Sequence, residues 1–159
     1  IFIKMNSNKL LPVTKHMISV KDIQNGAITS RDWAPLHSDQ DWAINEGNLP
    51  NIIMNNYTLN GWIIKYMTDI FGPSTRVGKV GFKIKKPICP NNLLEFHGQQ
   101  INENIISNDL SLMQLKIEIK VNEEIVASAD ATIGINKSNN HDCSPWKINS
   151  DKWMSYLQS

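Results

Sequence analysis

The sequence predicts an α+β domain in which an antiparallel sheet wraps around one long helix. Three observations carry this: a long segment apolar around most of a helical circumference, a run of later segments with two-residue alternation, and a short turn between the last two of them.

The helix is residues 57–71, YTLNGWIIKYMTDIF, where Gly61, Lys65, Thr68 and Asp69 fall at i, i+4, i+7 and i+8 as a narrow polar stripe. So little polar surface means that the helix is mostly buried. Gly72-Pro73 ends it, because Gly suits the C-terminal cap and Pro cannot continue the hydrogen-bond ladder. Ahead of it, Ser38-Asp39 offer a cap for a short helix through Trp42 and Ala43 to Glu46, with Gly47 as its stop.

The second half changes period. Val80, Phe82 and Ile84 alternate with Lys79, Gly81, Lys83 and Lys85, and Leu115, Ile117, Ile119 and Val121 alternate with Gln114, Lys116, Glu118 and Lys120. Ile125, Ala127, Ala129, Ala131, Ile133 and Ile135 share one face, and Asn122-Glu123-Glu124 turns the chain between these last two strands into a hairpin. Residues 93–101 give a weaker strand pattern, and 15–24 a further one near the N-terminus. The expected organisation is one domain over residues 1–135 and a C-terminal tail over 136–159. The tail carries Trp146 and Trp153, expected to pack on the domain or on a partner, and a short helical end from Asp151 to Leu157.

The bulk properties exclude several classes. A chain of 159 residues can bury a core without disulfides or metals, and 41% hydrophobic with 19% charged residues is the balance of a soluble globular protein. A net charge of +1 gives no case for nucleic acid as a partner. Cys89 and Cys143 have no partner at zinc or redox spacing, so they read as free thiols in a reducing cytosol. Lys4, Asn6, Asn8 and Lys9 interrupt the apolar start at Ile1 to Ile3 before a signal-peptide core forms. No segment reaches the ~20 apolar residues of a membrane span. The expected location is the cytoplasm.

The stretch that bears chemistry is Ser30-Arg31-Asp32-Trp33-Ala34-Pro35-Leu36-His37-Ser38-Asp39-Gln40-Asp41-Trp42-Ala43. Asp32 and His37, joined by a Pro-fixed loop leading into a capped helix, can aim at one point where the long helix begins, which suits acid/base work. From the spacing alone, the commoner outcome is structural, with Asp32 capping a turn and His37 binding a nearby backbone group, since short motifs recur by chance. His37-Ser38-Asp39 lacks a third ligand for a metal, and no Gly-rich phosphate loop occurs.

The same stretch resembles the signature of MaoC-like dehydratases and (R)-specific enoyl-CoA hydratases, which have the hot-dog fold. Asp32, Pro35, Leu36, His37, Asp39 and Ala43 match, while Ala34 stands where the family has Asn. The likeness continues through Ile52-Ile53-Met54-Asn55-Asn56-Tyr57-Thr58 and Thr68-Asp69-Ile70-Phe71-Gly72-Pro73, to Lys86-Pro87 and Asn91, covering roughly residues 18–135. Asn55-Asn56, where the family usually has His-Gly, and the Thr-Asp-x-x-Gly-Pro run look more like the small hydratase subunits of bacterial steroid side-chain degradation than like the fatty-acid hydratases.

The resemblance implies that Asp32 and His37 polarise a water that adds to the β-carbon of a trans-2-enoyl thioester, or is lost in the reverse dehydration. It also implies that the backbone N–H of Asn56 binds the thioester carbonyl, with Asn55 and Ala34 beside it. Coenzyme A enters as part of the substrate with no other cofactor, and Lys83, Lys85 and Arg76 are candidates for its phosphates. The implied assembly is a homodimer or a heteromer with a second MaoC-like subunit. A thioesterase and a non-catalytic subunit that binds an acyl thioester are the alternatives, and the Asp-x-x-Pro-x-His pattern argues against the first.

Overall fold

The computed structural model describes residues 3–138 and 141–158, with side chains from 8 to 138 and from 142 to 158. Ile1 and Phe2 of the apolar start and Asn139, Asn140 and Ser159 of the expected tail lie outside the described residues, as does the side chain of His141.

The elements run β1 (Ile3–Leu10), β2 (Thr14–Met17), α1 (Val20–Ser30), a 3₁₀ turn (Pro35–His37), α2 (Gln40–Asn45), α3 (Asn56–Phe71), β3 (Arg76–Ile84), β4 (Leu93–Ile105), β5 (Leu110–Val121), β6 (Glu124–Asn136), two 3₁₀ turns (His141–Cys143 and Pro145–Lys147) and α4 (Ser150–Gln158). The strands form one antiparallel sheet in the order β1-β4-β5-β6-β3, with β2 also paired to β4. This is the hot-dog layout: the sheet curls around α3.

The predicted period of α3 holds. Leu59, Ile63, Tyr66 and Met67 are buried, while Gly61, Lys65 and Asp69 are exposed and Lys65 and Asp69 pair at 2.6 Å. Opposite the helix, the inner face of the sheet presents Leu115, Ile117 and Ile119 of β5 and Ala127, Ala129, Ala131 and Ile133 of β6, all buried. Each fully buried Ile or Leu stabilises the fold by roughly 1.5–3 kcal/mol relative to exposure. The turn between β5 and β6 uses Asn122 and Glu123 at φ 50° and 66°, the left-handed pair that matches the twist of a two-residue hairpin.

The strand expected over 15–24 stops at Met17. From there Ser19 and Asp22 form a reciprocal capping box, with the Ser19 hydroxyl accepting from the Asp22 N–H at 3.2 Å and the Asp22 carboxylate accepting from the Ser19 N–H at 2.7 Å. The helix α1 begins there because local capping outweighs the alternation that precedes it. β1 is an addition to the sequence reading, held by its pairing with β4. At the break between β1 and β2, the buried Tyr66 hydroxyl donates to the Pro12 carbonyl at 2.9 Å and accepts from the Gly98 N–H at 2.9 Å, tying α3 to the sheet.

The C-terminal segment folds back on the outer face of the sheet. Trp153 is buried against Gly134 of β6, where a Cβ would lie 2.7 Å from its ring. Trp146 donates its indole N–H to the Thr75 carbonyl at 3.2 Å. No helix among the described residues is long and apolar enough to cross a membrane.

Candidate active site

The site lies where the end of α1, the 3₁₀ turn, the start of α3 and the loop after β3 converge. Arg31 ends α1 in the left-handed conformation at φ 57°, and the Asp32 N–H then bonds back to the Ala27 carbonyl at 2.9 Å. This reversal aims the Asp32 side chain at the N-terminus of α3. The Pro35–His37 turn follows, with Pro at its first position, where the missing N–H costs nothing. It returns His37 to the same point, buried at 7% exposure.

His37 Nε2 stands 3.2 Å from Asp32 Oδ2. On the other side of the ring, His37 Nδ1 lies 2.6 Å from the Ile53 carbonyl. A carbonyl only accepts, so Nδ1 carries a hydrogen, and Nε2 is the ring atom left to exchange a proton with whatever sits beside Asp32. The backbone contact is met by Nδ1, and Nε2 faces the Asp32 carboxylate.

Asn55 completes the constellation. Its side-chain carbonyl caps α3 by accepting from the Thr58 N–H at 2.9 Å and the Thr58 hydroxyl at 2.6 Å, and its amide donates to Ser30 Oγ at 2.9 Å and Asp32 Oδ2 at 3.1 Å. Asn55, expected at the substrate, lines the cavity of the site, yet its side chain is bonded to Thr58, Ser30 and Asp32 and the residue is 3% exposed. The N–H groups of Asn56 and Tyr57, at the first turn of α3, have no intrahelical acceptor and stand where the helix dipole is positive. Both residues line a cavity of about 370 Å³ together with Asp32, His37, Ile84, Lys85, Pro87 and Ile88. The Met54 N–H donates to the Ile88 carbonyl at 2.8 Å, which holds the two walls together.

Three expected residues lie elsewhere. Ala34 is outside the cavity, and its N–H approaches Asp32 Oδ1 at 3.4 Å. Lys83 sits with Lys79 and Asp130 on the outer face of the sheet, because strand alternation turns it away from α3. Arg76 is fully engaged: one guanidinium nitrogen donates to the Pro145 and Ile148 carbonyls at 3.0 and 2.8 Å, and its head lies 4.5 Å from the centre of the Trp153 ring. Its role is to hold the C-terminal segment. Ser30 and Tyr57 join the site without having been singled out; both lie within the stretches that carry the resemblance. No group of three or more His, Cys, Asp or Glu among the described residues is arranged for a metal.

Fold and site together define a hot-dog protein with a His–Asp pair at the start of its central helix. No model of a known protein family matches the chain. In sequence it is similar to the 3-oxo-4,17-pregnadiene-20-carboxyl-CoA hydratase beta subunit of Mycobacterium tuberculosis, with 29% identity over 87 residues, 54% of this chain and 67% of that protein. Among solved structures it resembles a chain of the ChsH1-ChsH2 complex from M. tuberculosis, with a TM-score of 0.71 and 23% identity over 80% of this chain and 96% of that one. It also resembles the MaoC-like dehydratase from Rhodospirillum rubrum, with a TM-score of 0.70 and 12% identity over 86% of this chain and 96% of that one. The chain has the hot-dog fold, and it is similar in fold to these MaoC-like dehydratases and hydratases.

Proposed function

We propose that this chain adds water across the double bond of a trans-2-enoyl-CoA, and removes it from the 3-hydroxyacyl-CoA in reverse. Its class is that of the hydro-lyases. The observation that carries the finer reading is the 3.2 Å approach of His37 Nε2 to Asp32 Oδ2 at the floor of a cavity opening on the N-terminus of α3.

A water seated between the two groups gives a proton to one of them as its oxygen bonds to the β-carbon. The π electrons shift toward the thioester, and the pair delivers one proton to the α-carbon on the same face, replaced by the one taken from water across the 3.2 Å contact, so both side chains end as they began. Atoms balance as one water added. Charge builds on the thioester oxygen meanwhile, and the Asn56 N–H at the positive end of α3 offsets it, a type of contact worth ~3–4 kcal/mol where such donors have been removed. Lys85 lines the mouth of the cavity and is exposed, so it is placed for a coenzyme A phosphate, while Lys86 beside it pairs with Glu124. The cavity is open on one side, and a second MaoC-like subunit, identical or different, would close it.

Purified protein mixed with crotonyl-CoA and with a bulky enoyl-CoA tests this. Hydrated product is expected. Release of free thiol would make the protein a thioesterase, and no reaction with either substrate would remove the catalytic reading.

A further inference from the structure

α1 ends on two hydroxyl residues, Thr29 and Ser30, and both bond back along the helix. Thr29 Oγ1 donates to the Asn25 carbonyl at 2.7 Å. Ser30 Oγ donates to the Gly26 carbonyl at 2.8 Å and shares that hydrogen with the Ala27 carbonyl at 3.2 Å. A hydroxyl owns one hydrogen, so each oxygen is left with lone pairs only. Thr29 is exposed, whereas Ser30 is half-buried beside α3, and its oxygen accepts from the Asn55 amide at 2.9 Å.

That amide has one orientation. Its oxygen receives the Thr58 N–H at 2.9 Å and the Thr58 hydroxyl at 2.6 Å. Turned over, it would set N–H against N–H at Thr58 and oxygen against the Asp32 carboxylate. With one amide hydrogen held by Ser30, the other falls on Asp32 Oδ2 at 3.1 Å, the same oxygen that faces His37 Nε2 at 3.2 Å. Asp32 Oδ1 has a longer contact, from the Ala34 N–H at 3.4 Å. The last torsion of an Asp side chain is soft, so its donors decide which oxygen points where. We propose that Ser30 is a positioning residue of the site. By holding one amide hydrogen of Asn55 it directs the other onto Asp32 and keeps Oδ2 facing His37, and its effect on rate rests on the catalytic reading of that pair.

The test compares full-length Ser30→Ala, Ser30→Thr and Thr29→Ala with the unaltered chain, with rates of enoyl-CoA hydration taken per folded molecule. Thr29→Ala deletes the same kind of back-bond without a tie to Asn55, and should leave the rate unchanged. Ser30→Ala should lower kcat ~10-fold, the scale of a small misplacement of a reacting group, with KM within about twofold. Ser30→Thr keeps the hydroxyl and should restore kcat. In an Asn55→Ala background Ser30→Ala should cost nothing further, because its effect passes through that amide. Nitrogen NMR of the His37 ring reads the placement without turnover: Ser30→Ala should move the Nε2 resonance, three contacts away, and Thr29→Ala should not. An unmoved resonance in Ser30→Ala overturns the proposal. So does an unchanged kcat, a change confined to KM, no recovery in Ser30→Thr, an equal loss in Thr29→Ala, or the full loss repeated in the Asn55→Ala background. If the unaltered chain hydrates no enoyl-CoA, the catalytic reading fails, and the resonance alone decides whether Ser30 places Asp32.

Discussion

Gly26 of α1 lies against Thr58 of α3 so closely that a Cβ at position 26 would fall 1.9 Å from the Thr58 hydroxyl oxygen. That contact sets how near the end of α1, and with it Asp32, comes to Asn55. Gly26→Ala is expected to cost about 1–3 kcal/mol from overpacking, and to lower the hydration rate beyond what the lost folded fraction explains. Kinetics corrected for folded fraction check it; unchanged activity per folded molecule would show that the site tolerates the shift.

Asp32→Ala and His37→Ala should each lower hydration at least ~100-fold, as expected for positioned acid/base groups, with little change in thermal midpoint. Full activity in either variant removes the mechanism. Ala34→Asn, which puts an amide beside the Asp32 loop, is expected to leave the rate equal or higher.

Asn55→Ala removes the cap of α3 and the amide on Asp32 together, so stability should fall by about 1 kcal/mol and hydration by a larger factor than that predicts. Asn55→Asp keeps the cap but sets a second carboxylate against Asp32, and should recover stability without recovering rate. The two readouts part only if Asn55 positions the carboxylate.

Glu103 gives the fold an acid-sensitive contact. Burial by itself raises its carboxyl, but the Lys137 ammonium at 2.6 Å and the Ser111 and Gln100 side chains outweigh that and hold it below its usual 4.5. A carboxyl lower in the folded state stabilises the fold above the unfolded value, and the contribution is lost as pH falls through the folded one. Denaturant titrations from pH 6 down to pH 3 should show this loss, and Glu103→Gln should make the curve shallower while costing about 1–3 kcal/mol at neutral pH. Lys137 is more than one-third exposed, which favours the lower end of that range. Identical slopes in the two proteins would exclude the pair as a source.

Arg76→Ala should free the C-terminal segment, seen as faster proteolysis after residue 137 and a changed Trp emission, while hydration holds because Arg76 is away from the cavity. Arg76→Lys is not expected to rescue it, since one ammonium cannot serve two carbonyls and lie flat on an indole as a guanidinium does.

The periodicities of α3 and of β5 and β6 were legible because each buries one continuous face, and a buried face leaves its period in the sequence. Asp32 and His37 stood out through the family resemblance of their stretch, and the short local elements that carry them bring them together. The residues that lay elsewhere share a different cause. Lys83 and Lys85 look equivalent on paper, yet the strand ends at Ile84, so one faces outward and the other lines the cavity. Arg76 is claimed by carbonyls some seventy positions later, a pairing with no local sign. That the Asn55 amide also reaches Ser30 and Asp32 had no local sign, since both precede it by more than twenty positions.

The cavity is walled on one side by residues that precede α3 and on the other by the loop that follows β3, joined by the hydrogen bond from Met54 to Ile88. Neither wall means anything without the other, and the sheet must close around the helix before they meet. Contacts so distant in sequence form late and slowly. A molecule that fits the cavity therefore binds the finished chain alone, and one present at a hundred times its dissociation constant would favour that state by about 2.7 kcal/mol. Supply of such a molecule in the cell would then set how much of this protein persists.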